Sequence, residues 1–344
     1  MSHITRRTLL KSVPALAAAS RVMGQAGKPQ IEVHTLSHAT LTVTDPKRST
    51  DFYQGLFGMG IQAKQGAAPS LQIGAGPEFI FISGGPNSKP GINHYCMTMK
   101  GYTVDGVAKV LEAHGITKAE GAGGGMTGGT MKYRVRIRPE NLGGAKDGTP
   151  EFYFGDPDGL AVQLQDDTYC GGAGALGEIC KSPAEPAPTK GLLQVKDLSH
   201  FTLFVADAAK SQAFYQDVFA MPITAHQGPT PLLGVGTHGQ FLTIASGGAT
   251  RPPEINHLCM RMENFSTDRV FKALSDFGLK PREADARGPV APMRYYVTMR
   301  MPNRGGAKDG TAELYFTDPD GILVQLQDMS YCGGAGVMGE VCTG

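Results

Sequence analysis

The chain carries one unit twice. Residues 35–170 and 197–332 match segment by segment. Leu36-Ser37-His38 returns as Leu198-Ser199-His200, Ile92-Asn93-His94 as Ile255-Asn256-His257, and Asp156-Pro157-Asp158-Gly159 as Asp318-Pro319-Asp320-Gly321. The offset is 162 (200 minus 38), or 163 around the second histidine (257 minus 94). Two copies make a tandem duplication rather than a solenoid. The 344 residues suffice for two ordinary domains. Residues 181–196 open on a proline-rich run and read as a stiffened linker between them.

Each unit divides again. His38, Thr40 and Thr42 alternate with Ala39, Leu41 and Val43, the period of a strand with two unlike faces. Asp45-Pro46 ends that strand, and 47–57 reads as a helix with Phe52, Tyr53 and Phe57 inward. Short strands follow, among them 71–73 and 79–82. The order then restarts. A strand over 94–99 puts His94, Cys96 and Thr98 on one face, and a helix over 104–114 is closed by Gly115. Segments 151–154 and 161–165 form a hairpin around Pro157-Asp158-Gly159. The expectation is an α+β chain of four βαβββ modules, paired into two units.

The first 26 residues read as an address. Thr5-Arg6-Arg7-Thr8-Leu9-Leu10-Lys11 precedes a short, weakly apolar run and resembles a bacterial twin-arginine signal. Cleavage is expected after Ala26. The export machinery is then a transient partner, and the mature chain is periplasmic or otherwise exported. Outside 12–24 no stretch has membrane-spanning character. Formal net charge is +1 and no Lys/Arg run remains beyond the signal, which argues against a nucleic-acid partner. Cys170 and Cys180 enclose nine glycine-rich residues, as do Cys332 and Cys342. In an oxidising compartment these read as two local disulfides, the second in a C-terminal loop over 333–344. Cys96 and Cys259 are left over.

Three motifs of the first unit have close counterparts in the second: Leu-Ser-His-Ala-Thr-Leu-Thr-Val-Thr-Asp from Leu36, Phe-Tyr-x-x-x-x-Gly-Met from Phe52, and Tyr-Phe-Gly-Asp-Pro-Asp-Gly from Tyr153. Together they resemble the vicinal oxygen chelate superfamily. That group includes glyoxalase I, fosfomycin-resistance proteins, bleomycin-binding proteins and extradiol ring-cleaving dioxygenases. The resemblance covers essentially all of 35–332. It implies that each pair of modules forms a cupped mixed sheet whose concave face holds a divalent metal. The implied ligands are His38, His94 and Gln163 in the first unit, and His200, His257 and Gln325 in the second. Where the family has a glutamate in the last strand, this chain has glutamine.

Strand alternation sorts the other residues. Leu41 and Val43 must pack under the helix, so His38 faces the cup, and His94 does likewise. Phe152, Phe154, Val162 and Leu164 take the helix side, which leaves Glu151, Tyr153, Gln163 and Gln165 toward the cup. Glu313 and Tyr315 are their second-unit counterparts. Two imidazoles and a carboxylate make the triad suited to non-haem Fe(II). An amide removes one negative charge. Glu151 and Glu313 restore it as fourth ligands, act as the base that deprotonates a chelated substrate, or are solvated strand-edge residues. Tyr153 and Tyr315 donate to a substrate oxyanion or fill the cup. Cys96 and Cys259 are small buried neighbours of the site or thiolate ligands for a soft metal. Arg138 and Arg300 clamp an anionic substrate or stay at the surface. Gly143-Gly144-Ala145-Lys146-Asp147-Gly148 lacks the strand–GxxxxGK[ST]–helix setting of a phosphate loop and reads as a long hairpin connection.

The expected function is that of an exported metalloenzyme with Fe, Mn, Zn or Ni. It acts on a small, vicinally oxygenated substrate as an extradiol-type dioxygenase or a glyoxalase-like lyase or isomerase. The alternative is a metal-free or metal-assisted small-molecule binding protein of the bleomycin-resistance type. The matched histidine pairs favour the enzyme, because those binders lack them.

Overall fold

Local punctuation sets the element boundaries. Asp45 caps the first helix, its side chain accepting from Arg48 N; Pro46 supplies the first helical residue, and Gly58 at φ 69° ends it. Thr103, Asp207 and Ser266 cap the other three long helices in the same way. The computed structural model describes residues 28–172, 183–248, 251–283 and 288–336. The expected signal, and Cys180 and Cys342, lie outside the described residues.

The first unit runs β1 (Val33–Val43), α1 (Pro46–Phe57), β2 (Ile61–Gln65), β3 (Ala68–Gln72) and β4 (Phe79–Gly84). It continues with β5 (Gly91–Met99), α2 (Val104–Ala113), β6 (Thr117–Lys118), β7 (Lys132–Arg138), β8 (Thr149–Gly155) and β9 (Ala161–Asp166). The second unit runs β10 (Asp197–Val205), α3 (Ala208–Phe219), β11 (Ile223–Gln227), β12 (Thr230–Val235) and β13 (Gln240–Ser246). It continues with β14 (Glu254–Met262), α4 (Thr267–Asp276), β15 (Lys280–Pro281), β16 (Arg294–Arg300), β17 (Thr311–Thr317), β18 (Leu323–Asp328) and β19 (Ala335–Gly336). Four βαβββ modules are therefore present, with β6, β15 and β19 as three additional short strands. The Gly-Gly-Ala-Lys-Asp-Gly segment is the β7–β8 hairpin connection.

The first sheet has the order β2-β3-β4-β1-β5-β9-β8-β7-β6, and the second β15-β16-β17-β18-β14-β10-β13-β12-β11-β19. Both are mixed: β1 is parallel to β4 and antiparallel to β5, and β5 is parallel to β9. One face of each sheet carries Leu41, Tyr95, Phe152, Phe154 and Leu164, or Leu203, Leu258, Leu314, Phe316 and Leu326, all buried. These residues and the helices form one core shared by the two units. Phe57 packs on Phe316 at 5.9 Å, and Phe154 on Phe219 at 5.9 Å. Each such fully buried side chain contributes roughly 1.5–3 kcal/mol.

The two units are latched reciprocally. The Asp-Pro-Asp-Gly turn of each reaches the helix start of the other. Asp158 accepts from Ala206 N at 2.8 Å and Ser211 Oγ at 2.5 Å. Asp320 accepts from Thr44 N at 3.1 Å and Ser49 Oγ at 3.2 Å, and pairs with Arg48 at 2.9 Å. Deeper in, Tyr215 donates to Asp156 at 3.0 Å and Tyr53 to Asp318 at 3.2 Å.

The proline-rich connection is more than a spacer. Ile61 and Glu185 exchange backbone hydrogen bonds at 2.8 Å, Lys64 pairs with Glu185, and Leu193 is fully buried. Proline fixes φ but leaves the flanking amides free to pair, so the segment lies on the first unit. Among the described residues no helix is long and apolar enough to cross a membrane.

Candidate metal centre

Register places the site. Thr40 lies opposite His94, His38 opposite Cys96, Cys96 opposite Gln163, and Gln163 opposite Tyr153. Partners across neighbouring strands share a face, so His38, His94, Gln163 and Tyr153 occupy the concave side together. All four are almost wholly buried.

The histidines are held by their Nδ1 atoms. Asn93 Oδ1 lies 2.8 Å from His94 Nδ1, and Ser37 Oγ lies 3.2 Å from His38 Nδ1. Burial pushes the His94 pKa down to about 4, and burial followed by the neighbouring His94 holds His38 well below its ordinary value. Both rings are therefore neutral at physiological pH. With its proton on Nδ1 toward Asn93, His94 presents a bare Nε2. That nitrogen lies 3.1 Å from Gln163 Oε1 and 3.1 Å from the Thr40 hydroxyl. Gln163 acts on His38 in the opposite sense to burial, raising its proton affinity. Phe79 stacks on the His38 ring at 4.3 Å, and Tyr169 flanks it at 5.7 Å. The rings of His38 and His94 are 5.6 Å apart and nearly perpendicular.

The second unit repeats the arrangement. Asn256 and Ser199 hold His257 and His200 at 2.9 and 3.2 Å. His257 Nε2 lies 3.1 Å from Gln325 Oε1, and burial lowers the His257 pKa to about 4. Phe241 stacks on His200 at 4.4 Å. Here the cup encloses a cavity of about 340 Å³ lined by His200, His257, Gln325, Tyr315 and Thr298 among others.

Glu151 and Glu313 have a different partner from those expected. Glu151 Oε1 accepts from Arg138 Nε at 3.1 Å, from Arg138 Nη2, and from the Tyr169 hydroxyl at 2.9 Å. Glu313 is held likewise by Arg300 and by Tyr331 at 2.5 Å. All six residues are buried. A buried carboxylate needs a counter-charge, and the facing arginine supplies it. Burial overturns the reading as solvated edge residues: each carboxylate is one half of a buried ion pair. Arg138 and Arg300, read as substrate clamps or surface residues, are the cationic halves. Among the described residues no group of three or more His, Cys, Asp or Glu is arranged to hold a metal, so neither Glu151 nor Cys96 completes a set with the histidines. Cys96 and Cys259 are free and buried, and burial pushes both thiols well above their ordinary pKa.

Tyr153 and Tyr315 face the cup as expected. Each ring meets its histidine edge-on, at 5.3 and 5.4 Å. Burial raises both phenol pKa values well above the ordinary range, so both remain proton donors. Sequence reasoning missed Tyr169 and Tyr331, although each stands immediately before a repeated cysteine. It also missed Ser37, Asn93 and Phe79 as ring holders. Ser37 and Asn93 adjoin the histidines inside repeated tripeptides, and that repetition was the available signal.

Whether a cation fits can be tested on two features. A bare His94 Nε2 and the Gln163 carbonyl oxygen are both acceptors, yet they face each other at 3.1 Å. The amide nitrogens of Gln163 and Gln325 are buried without a hydrogen-bond partner. With Nδ1 turned to Asn93, the Nε2 lone pair and the Gln163 oxygen converge as ligands of one cation would, and two tethered imidazoles oriented through Nδ1 are a common ligand geometry. The donor set fits a divalent metal.

The comparisons agree with this architecture. The family model described as "Glyoxalase/Bleomycin resistance protein/Dioxygenase superfamily" matches residues 35–164 and 197–326. No curated protein matches the chain significantly. Among solved structures, the Mn(II)-bound glyoxalase from Novosphingobium aromaticivorans is similar at 16% identity and TM-score 0.58, covering 87% of this chain and 83% of that one. A catechol 2,3-dioxygenase is similar at 15% identity and TM-score 0.56, over 86% and 87% of the two chains. The 2,2',3-trihydroxybiphenyl 1,2-dioxygenase from Sphingomonas wittichii strain RW1 is similar at 18% identity and TM-score 0.53, over 89% and 92%. At such identities these likenesses speak for the fold. With the family model matched twice over most of its length, the chain belongs to the Glyoxalase/Bleomycin resistance protein/Dioxygenase superfamily.

Proposed function

We propose that each unit is a metal-dependent chelating cup for a small molecule with two adjacent oxygens, and that the chain is an enzyme of the ring-cleaving dioxygenase type. His38, His94 and Gln163 would hold one divalent cation, and His200, His257 and Gln325 a second. The observation that carries this is the convergence of the His94 and His257 Nε2 atoms on a glutamine oxygen at 3.1 Å in both units. A cation held there polarises two neighbouring substrate oxygens and favours their deprotonated form.

The rest of the chemistry falls to the chain. Asn93 and Ser37 keep the imidazoles oriented. The Tyr153 hydroxyl, protonated and without a hydrogen bond among the described residues, is placed to donate to a developing oxyanion. The apolar wall of Phe79 and the Arg138–Glu151 pair exclude water from behind the histidines. Removing a proton from carbon, as a lyase or isomerase of the glyoxalase kind requires, needs a free base. The cup's carboxylate is bound to Arg138, which favours ring cleavage over isomerisation. Export through a twin-arginine signal belongs to the same proposal, and cell fractionation with N-terminal sequencing tests it.

The decisive experiment is equilibrium binding of Mn(II) and Fe(II) to the full chain. Two cations per chain are expected, falling to one in His94→Ala and to none when His257→Ala is added. Oxygen uptake on adding a catechol to the Fe(II)-loaded chain then tests the reaction class. No metal uptake under any condition would sink the enzyme, and would leave a small-molecule binder whose glutamine amide donates to His94.

A further inference from the structure

The second cup does not end at its histidines. On three strands the residue that lines the cup is joined, two positions away, by one that lines a second cavity: Thr298 and Tyr296 on β16, Tyr315 and Thr317 on β17, Gln325 and Leu323 on β18. Residues two apart on a strand share a face, so the two cavities lie on one concave surface. Phe204 on β10 lines both, and Tyr296 stacks on Tyr315 at 5.2 Å and an 18° interplanar angle. The cup holds about 340 Å³ and the trough beyond it about 690 Å³, so a single chelated ring leaves most of this space empty. Pro90, Gly91 and Ile92 of the first unit complete the lining, so neither unit builds the trough alone.

The trough's walls are flat. The Arg251 guanidinium lies over the Phe204 ring at 4.5 Å, and the Arg282 guanidinium over the Tyr296 ring at 5.2 Å. The edges of both guanidiniums are engaged: Arg251 pairs with Glu254 at 3.4 Å, and Arg282 donates to the Gly288 carbonyl at 3.1 Å. The other acid of the lining, Asp320, pairs with Arg48 at 2.9 Å. The walls therefore offer a ligand guanidinium and aromatic faces rather than an uncompensated charge. Arg304 lines the cup and not the trough, so it meets the chelated ring whatever that ring carries. The first unit lacks the aromatic seats. By the repeat offset of 162, Phe204 corresponds to Thr42 and Tyr296 to Arg134, and Arg134 donates to the carbonyls of Gly121, Gly123 and Gly125.

We infer that the second cup takes an elongated chelator. Its two adjacent oxygens sit at the cation held by His200, His257 and Gln325, and a flat, uncharged aromatic tail lies in the trough against the Arg251–Phe204 and Arg282–Tyr296 stacks. This rests on the chelating-cup reading. A guanidinium plane stacks on an aromatic face by cation–π attraction, and a second aromatic ring packs beside it in the same orientation. A saturated tail of the same length meets the same walls with apolar contact alone.

The test uses the Mn(II)-loaded full chain, titrated anaerobically by calorimetry with catechol, 3′,4′-dihydroxyflavone and 4-cyclohexylcatechol. The flavone carries a planar tail and the cyclohexyl compound a saturated one. At one site per chain the flavone should bind roughly tenfold more tightly than catechol, and the cyclohexyl compound less than about threefold more tightly. Arg251→Gln with Arg282→Gln should bring the flavone down to the affinity of catechol. Amide exchange at Gly91 and Ile92 in the first unit should slow further with the flavone than with catechol. Equal gains for the two tails, or a flavone gain that survives the double substitution, would overturn the inference. The Mn(II) count separates this from the parent reading. Two Mn(II) per chain without a preference for the planar tail removes the inference alone, whereas no Mn(II) removes both.

Discussion

Glu78 and Gln240 occupy equivalent positions in the two units and hydrogen-bond each other across the boundary, Gln240 Nε2 donating to Glu78 Oε1 at 2.8 Å. Each also caps the other unit: Leu198 N donates to Glu78 Oε2 at 2.6 Å, and Leu36 N to Gln240 Oε1 at 2.8 Å. Two identical amides here would turn like atoms toward each other. An acid facing an amide removes the conflict.

A double-mutant cycle measures that pair. Glu78→Gln sets amide nitrogen against amide nitrogen, and Gln240→Glu sets oxygen against oxygen. Each is expected to cost about 1–3 kcal/mol, the cost of leaving a buried polar group unsatisfied. The double swap should recover at least half of the summed loss, read from urea unfolding. Strict additivity would show that the pair does not couple.

The arginine–glutamate pairs should behave as buried ions rather than as catalytic groups. Arg138→Met leaves Glu151 uncompensated and is expected to destabilise by about 3–5 kcal/mol. Adding Glu151→Met should return much of that loss. Glu151→Gln with Glu313→Gln should leave metal stoichiometry at the wild-type value. A drop in bound Mn(II) in that variant would reinstate the carboxylates as ligands.

The buried aspartates beneath the latches give a pH dependence of defined sign. Burial pushes Asp156 and Asp318 up to about 6, above the ordinary 3.8. The folded state therefore binds their protons more tightly than the unfolded chain does. Their contribution is fully present below about pH 4 and is lost as pH rises through 6. Asp156→Asn with Asp318→Asn removes this titration. The stability cost of the double variant, measured by denaturant midpoints, should thus be larger at pH 4 than at pH 7. An equal cost at both values would refute the raised pKa values.

We further propose Cys170–Cys180 and Cys332–Cys342 disulfides, from the repeated glycine loops and the expected compartment. Loops this short should add at most roughly 2–3 kcal/mol each. Peptide mapping of the exported protein that finds these four cysteines as free thiols would dismiss both.

The sequence made the duplication, the four modules and the facing of His38, His94, Gln163 and Tyr153 legible, because repetition and strand parity are local signals. The fate of Glu151 was hidden. Parity put the carboxylate toward the cup, but whether Arg138 or solvent meets it depends on how β7 lies beside β8, and on a tyrosine from beyond β9. The latches were hidden for the same reason. Asp158 and Ser211 are 53 residues apart, and nothing in a turn motif names its distant acceptor. The difference between Arg136 and Thr298 was legible in the letters, because the repeat offset of 162 sets them against each other, and their pairing with Glu151 and Glu313 puts both beside the cup.

The reciprocal turns have an evolutionary reading. Each unit completes the helix start of its neighbour, which is how the subunits of a symmetric dimer meet. Fusion makes that encounter intramolecular, with an effective concentration no free partner reaches. A homodimer must change both copies of any residue at once. A fused pair need not, and positions on the pseudo-axis can then diverge singly. Glu78 beside Gln240, and Arg136 where its counterpart is Thr298, are the marks left by that freedom: one ancestral surface whose two copies no longer have to change together.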